Sequence, residues 1–370
     1  MSDDAANSFA RDLIAKHRVI VAVGSGGVGK TTTSAALATL GAKMGRKVAL
    51  ISIDPAKRLA DAMGISLGST FSKVEFPENL EVSGSVFGAM LDQKAVFDEM
   101  VQKWAKSDKV REKIYANSIY QAVSENLGGP LEYMALAKLH AISEDSTFDL
   151  IIVDTPPDTH ALDFLDRPNA LAGFMERGVM TWLIKPFHIA QKLGAGRIIR
   201  AGGKMMSGIA AVTGVKMLQM LAEFLILIED VIKGFSESGK EVVKLLHQKD
   251  TSFALVTTAQ NSSLRSTKML AQELQAKNFS LGAVFINRCF PEELLKHIET
   301  ALNQSSDDTR YSHHDLEILA KKGYSIEANV KSLGPILHAH GFGDVPVGKV
   351  SERKENIHTL ESLARFADDL

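Results

Sequence analysis

Gly24-Ser25-Gly26-Gly27-Val28-Gly29-Lys30-Thr31 is the stretch from which the fold can be worked out. It follows Val19-Ile20-Val21-Ala22-Val23, a short β-branched run suited to a strand buried on both faces. It opens Lys30 to Gly45, rich in Ala and Leu, which reads as a helix with Gly45 as its stop. Lys47 to Ile53 then supplies a second strand. Strand, helix and strand within about 35 residues are the size of a βαβ unit with parallel pairing. The octet fits G-x-x-x-x-G-K-[ST] without a gap. Its glycines let successive backbone N–H groups turn inward on phosphate oxygens, and the helix start adds unpaired N–H groups and a partial positive charge. Lys30 can reach β- and γ-phosphates, and the Thr31 hydroxyl can ligate Mg²⁺. Gly26, Gly27, Val28, Gly29, Lys30, Thr31 and Thr32 are therefore the candidate phosphate-binding residues.

Outward from this unit, Leu80 to Gly84 reads as a short strand and Phe148 to Asp154 as the strongest strand of the chain. Phe253 to Thr258 and Leu281 to Asn287 are two more, joined by an amphipathic helix over Leu264 to Lys277. Leu91 to Ile142 is mostly helical, broken at Gly128-Gly129-Pro130, and a second helical stretch runs from about Ala161 to Lys249. Strands scattered along the chain and separated by helices imply an α/β fold: one doubly wound, mostly parallel sheet. The whole of 1–370 is expected to be one domain, with an inserted helical subdomain built from about 88–142 and 161–249. The first ten or so residues are small and polar and suggest a frayed tail. Asn303 to His314 is polar and suggests a flexible loop.

Composition narrows the function. Lys plus Arg is 42 and Asp plus Glu is 44, a formal net charge of −2. That balance argues against a nucleic-acid binder, which is usually basic. Hydrophobic residues at 45% and charged ones at 23% exclude a mostly disordered chain. No charge-free apolar run approaches the roughly 20 residues needed to span a bilayer. The start, with Asp3 and Asp4, lacks the basic and apolar regions of a secretory signal. The single cysteine, Cys289, excludes an internal disulfide and a multi-cysteine metal site in one chain. The expectation is a cytoplasmic protein.

Two carboxylates fall at the strand ends where an open α/β sheet binds ligands. Asp154 closes a buried apolar strand, where a carboxylate is costly without a partner; a hydrated Mg²⁺ provides one. The alternative is an Asp that caps a helix. Asp54 ends the second strand, where a base or water-positioning group belongs. Its alternative is a capping role before a helix beginning Pro55-Ala56.

Gly24–Thr31, Ile53-Asp54-Pro55-Ala56, Val153-Asp154-Thr155-Pro156-Pro157 with His160, Gly129-Pro130-Leu131-Glu132 and Ile286-Asn287-Arg288 together give the chain a family resemblance. It resembles the ArsA and guided-entry tail-anchored-protein targeting ATPases, within the deviant-Walker-A P-loop ATPases that include MinD and ParA. The closest likeness is to single-domain bacterial members. The resemblance implies ATP hydrolysis with Mg²⁺. By this resemblance Lys30 and the loop backbone would bind phosphates, and Thr31, Asp154 and Asp54 would form the metal set. Asp54 would also polarise the attacking water, and Asp154 would contact the metal through water. Asn287 would hydrogen-bond adenine, and Pro346 and Val347 would line the base pocket. It also implies a face-to-face dimer, homodimeric or heterodimeric with a related ATPase.

The departures are informative. Such families carry a second lysine just after the first glycine, and here that position is Ser25. A partner subunit, or Lys57 or Arg58 shortly after Asp54, would have to replace its charge; otherwise turnover is slow. Clustered cysteines for arsenite and a paired-cysteine zinc site are both missing, so neither oxyanion transport nor zinc is implied. Met175, Met180, Met205, Met206, Met217 and Met220 fall in one helical segment. Soft, adaptable methionines suit a groove for an apolar client helix or a membrane-associated partner, or else a subdomain core. The basic, Gly-rich stretch from Gly194 to Lys204 suits a mobile loop. Two functions follow: an ATP-hydrolysing dimeric switch, or a low-turnover, nucleotide-dependent regulatory subunit of a hetero-complex.

Overall fold

The computed structural model describes residues 3–53, 58–126, 131–144, 146–156, 220–221, 223–303, 312–353 and 356–370. They fall into two compact units: 1–91, 141–162 and 244–370 in the first, 92–140 and 163–243 in the second.

The first unit is built on one sheet. Its strands are β1 (Val19–Val23), β2 (Lys47–Ser52), β3 (Ser72–Lys73), β4 (Ser85–Met90), β5 (Leu150–Asp154), β6 (Thr251–Thr258), β7 (Leu281–Cys289) and β8 (Val347–Ser351). They lie in the order β3-β4-β2-β5-β1-β6-β7-β8. All neighbours run parallel except β3 against β4. A parallel sheet covered on both faces needs strands that are apolar on both faces, and β1, β5 and β6 are buried at every position. This is the doubly wound α/β architecture the sequence implies.

Helices α1 (Asp3–Lys16), α2 (Lys30–Lys43) and α3 (Arg58–Met63) come from the N-terminal part of this unit. Helix α2 is buried nearly all round, from Thr33 to Ala42. Its small side chains let it lie close to the sheet. It stops as the glycine predicts: Gly45 takes φ 82°, its N–H donates to Ala42 O at 2.9 Å, and Arg46 N–H donates to Gly41 O at 3.0 Å. That pair of bonds is a Schellman ending.

Three expectations need correction. The N-terminal residues are not a frayed tail: α1 begins at Asp3, and its Ala10 and Ile14 are wholly buried in the core of the first unit. Apolar residues spaced three to four apart late in the segment carry that face. The strand expected at Leu80–Gly84 lies later, at Ser85–Met90. Pro77 instead starts a 3₁₀ turn over Glu78–Leu80, and Glu81 takes φ 50°, which breaks extended pairing. The loop expected up to His314 ends earlier, because a capping box at Ser312 and Asp315 starts a long helix at His313; residues 304–311 lie outside the described residues.

The second unit holds α4 (Gln93–Trp104), α5 (Asp108–Tyr115) and α6 (Ser118–Asn126), with most of α7 (Leu131–Glu144) and of α8 (Glu229–Leu246). Asp92 and Ser107 cap α4 and α5 by accepting from Ala95 N–H and Val110 N–H. Within it Tyr120 Oη donates to Asp98 Oδ1 at 2.7 Å and Tyr115 Oη donates to Asp98 O at 3.1 Å. Burial, with the Asp98 bond and charge, pushes the Tyr120 hydroxyl well above the usual tyrosine range. The remaining helices, α9 (Asn261–Ala276), α10 (Glu292–Asn303), α11 (His313–Ala339) and α12 (Leu360–Asp368), belong to the first unit. The Met175–Met217 segment, the Gly194–Lys204 stretch and the Gly129-Pro130 element lie outside the described residues. Among the described residues no helix is long and apolar enough to cross a membrane.

Candidate phosphate-binding site

The glycine loop leaves β1 at the carboxyl edge of the sheet and enters α2. Gly24 packs so tightly on the Val256 carbonyl of β6 that no Cβ fits there. Gly27 and Gly29 take φ 76° and 94°, a left-handed region that L side chains avoid. Gly29 is also the residue that caps α2, and no side chain caps the helix. A glycine at this position offers no side chain to the first N–H groups of α2, so the cap itself leaves them to other acceptors. Lys30 is buried, and its Nζ donates to Ser25 O at 3.0 Å across the loop.

Asn287, at the carboxyl end of β7, braces the loop from the other side. Its Nδ2 donates to Val28 O at 2.9 Å and to Thr33 Oγ1 at 3.1 Å. Its Oδ1 is buried and has no hydrogen-bond partner among the described residues. Such an orphan acceptor costs about 1–3 kcal/mol when nothing fills its need.

Asp154 ends β5 in register with Ala22 of β1 and Ser52 of β2. Its carboxylate is wholly buried. Ser52 Oγ donates to Oδ2 at 3.0 Å, and Ser34 Oγ lies 3.5 Å from Oδ1. The next residue, Thr155, donates its hydroxyl to Ala22 O at 2.7 Å, tying this strand end to the strand that feeds the loop. Ile53 N–H donates to Asp154 O at 2.9 Å, so the chain leaves β2 beside Asp154. Asp54 itself, with Pro55, Ala56 and Lys57, lies outside the described residues, as does His160. Arg58 is exposed, at the start of α3.

A cleft of about 210 Å³ opens beside the loop. Ser25, Gly26, Gly27 and Val28 form one wall. Thr258 and the first turns of α9, with Gln260, Ser262, Ser263 and Ser266, form the other, and Arg288 lines the end at β7. Thr258 and Ser263 share a hydrogen bond of 2.8 Å between their hydroxyls. Pro346 and Val347 are not among the lining residues. Both are exposed at the start of β8, where Val284 N–H donates to Pro346 O at 2.9 Å. Cys289 is a buried thiol at the end of β7; burial pushes it up to about 11, and its Sγ–H donates to Ile286 O at 3.2 Å. No group of three His, Cys, Asp or Glu residues able to hold a metal occurs among the described residues.

Sequence reasoning missed Ser52, Ser34 and the hydroxyl wall of α9. Ser52 sits two positions before Asp54 at a strand end, but nothing in one sequence tells which neighbouring strand it faces.

A parallel sheet whose first strand runs through a glycine loop into a buried helix, with an acidic strand end alongside, defines a P-loop nucleoside-triphosphatase. Comparison with known proteins narrows this class. The model of the family described as anion-transporting ATPase matches residues 17–314. An ATPase get3 of Aspergillus terreus is 30% identical over 285 residues, 75% of this chain and 74% of its own. A putative arsenical pump-driving ATPase of Chlorobaculum tepidum is 23% identical over 359 residues, 95% and 75% of the two chains. A segment of 156 residues is 34% identical to an ATPase ASNA1 homolog of Paramecium tetraurelia, covering 42% and 44%. The chain belongs to the anion-transporting ATPase family, and it is an ATP-binding protein that hydrolyses ATP.

Proposed function

We propose that the chain is a dimeric switch in which ATP, bound on the loop from Gly26 to Thr32, is hydrolysed at the ends of β2 and β5. The observation that carries this reading is the loop itself: two left-handed glycines, an uncapped helix start and a buried lysine converge on one point. Backbone N–H groups and a cation focused on one place suit a triphosphate, which needs charge stabilisation rather than covalent help.

Asn287 supports adenine as the base. Its amide nitrogen is committed to the loop and to Thr33, which leaves Oδ1 as an acceptor. The adenine 6-amino group donates, whereas guanine offers an oxygen there. Pro346 and Val347 are the proposed lining of the base, from the neighbouring strand.

Mg²⁺ takes few protein ligands and several waters, so a single buried carboxylate with a nearby hydroxyl fits it better than an acidic cage would. Thr31 would hold it directly, Asp154 through water, and Asp54 from the end of β2. The ion would neutralise charge on the phosphates. Asp154 is kept in place by the Ser52 and Ser34 hydroxyls, and Asp54 orients and polarises the attacking water.

The dimer, of two copies or with a related ATPase, is proposed from the family likeness; the apolar client, a hydrophobic helix or a membrane-associated protein, is proposed from the composition of the methionine-rich segment. The domain boundaries proposed for the helical subdomain are 88–142 and 161–249. Arsenite handling finds no support in a chain with one cysteine. Ser25 favours a second reading, a low-turnover regulatory subunit, because the loop then has only Lys30 as its own lysine.

Steady-state phosphate release separates the two readings. Lys30→Ala should remove measurable ATP binding. Asp54→Asn should keep ATP bound and slow release by about 10²-fold or more, as loss of a water-positioning group does. Retained ATP affinity in Lys30→Ala would refute the site, and equal turnover in Asp54→Asn would strip Asp54 of its role.

A further inference from the structure

We propose that Arg288 is a nucleotide-contacting residue whose guanidinium binds phosphate oxygens of the ATP seated on the Gly24–Thr31 loop. The proposal rests on the reading that this loop holds the phosphates, and it adds a second cation from a different strand.

Three observations converge on Arg288. It lines the cleft that Ser25, Gly26 and Gly27 wall, and every other described residue lining that cleft is uncharged. It takes φ 55° on a non-glycine residue, directly after the buried Asn287 that braces the loop. A bulky side chain in this region is uncommon, and such outliers cluster at functional sites. Its side chain is exposed and makes no hydrogen bond or ion pair with any described residue. Among the described residues no salt bridge accounts for this backbone conformation. The turn falls at the one exposed position of β7, and that residue shares the lining of the cleft with the glycine loop.

The chemistry fits a phosphate. A guanidinium stays charged at any working pH and presents a planar fork that matches two phosphate oxygens at once. Lys30 is buried and drawn across the loop to Ser25 O, whereas Arg288 is exposed and lines the cleft beside the loop. Ser25 contributes no charge of its own. With an arginine on β7, a chain with an uncharged residue at position 25 still presents two cations to one triphosphate.

The test uses the full chain and three variants. Arg288→Gln removes the charge at similar length, Arg288→Lys keeps it without the fork, and Lys30→Ala marks loss of the whole site. ATP affinity is measured by titration calorimetry at low and moderate salt, and adenosine by competition in ligand-observed NMR. We expect Arg288→Gln to weaken ATP about 10-fold or more and flatten its salt dependence, Arg288→Lys to recover part of the loss, and adenosine to be unaffected. Thermal unfolding should not move, because the side chain is exposed. Unchanged ATP affinity in Arg288→Gln, with binding lost in Lys30→Ala, would overturn the role of Arg288 and leave the site standing. Equal losses for ATP and adenosine would also overturn it, by moving the contact to the base or ribose. ATP binding that survives Lys30→Ala would remove the site reading itself. A last arm mixes Arg288→Gln with Lys30→Ala, which keeps Arg288 but not the loop lysine. Recovery of ATP affinity on mixing would show the arginine serving a partner's nucleotide and overturn the assignment within one chain.

Discussion

Gly29→Ala and Gly27→Ala look alike in the sequence, yet the structure separates them. Both positions are left-handed, at φ 94° and 76°. An L residue there costs about 1–2 kcal/mol. At Gly27 that is the whole penalty, because an added Cβ meets nothing within 4 Å. At Gly29 the same Cβ would lie 2.6 Å from Asn287 Nδ2, so the amide must retreat from Val28 O and Thr33 Oγ1. Two buried hydrogen bonds at about 0.5–1.5 kcal/mol each add about 1–3 kcal/mol. Binding weakens by the fraction of molecules that still hold the competent loop. With tenfold in affinity per about 1.4 kcal/mol, Gly27→Ala should weaken ATP roughly 5- to 30-fold. Gly29→Ala should then be weaker than Gly27→Ala by a further factor of roughly 5 to 150. Calorimetric titration of ATP reads both. Gly45→Ala is the control: it has φ 82° at the far end of the same helix, with Ser83 Oγ 3.6 Å from the added Cβ. It carries a similar backbone penalty away from the loop and should leave ATP affinity unchanged. Equal affinities in Gly27→Ala and Gly29→Ala would refute the bracing role of Asn287. An equal loss in Gly45→Ala would show that the effects come from general destabilisation.

Two other variants address the strand ends and the lone thiol. Asp154→Asn keeps the shape of a buried group that the Ser52 and Ser34 hydroxyls face, so the fold should persist while Mg²⁺-dependent phosphate release falls about 10²-fold; a Mg²⁺ titration with the same maximum as the parent would contradict this. Cys289 ionises near 11 because burial disfavours the thiolate, so native chain at pH 8.5 should react with a thiol reagent at least ~10-fold more slowly than chain in denaturant, since the thiolate is the nucleophile. The sign is fixed by the raised value: stability contributed by the protonated thiol is present below the unfolded value near ~8.5 and fades as pH climbs toward 11. Equal labelling rates in the two states would place the thiol at the surface.

The octet from Gly24 to Thr31 and the strands around it could be read directly because their physics is local. Glycine is needed where the backbone turns left-handed, a lysine must follow, and strands buried on both faces show as unbroken apolar runs. The stop at Gly45 and the α/β class follow from the same short-range rules. Helix α1 was missed because its buried face rests on a few apolar residues late in a polar stretch. Strand β4 was displaced because alternation around Leu80–Val82 looks extended until Pro77 and Glu81 bend it.

What only the tertiary structure decided is which strand ends meet. Asn287 and Val28 are 259 residues apart in the chain, and Ser52 and Asp154 are 102 apart. No periodicity carries that information, since strand order is set by how the crossover helices pack, and only packing brings β2, β5, β1, β6 and β7 to one edge. The left-handed turn at Arg288 is of the same kind. An arginine has no local preference for φ 55°, so its place in the lining of the cleft beside the glycine loop exists only once β7 has taken its place in the sheet.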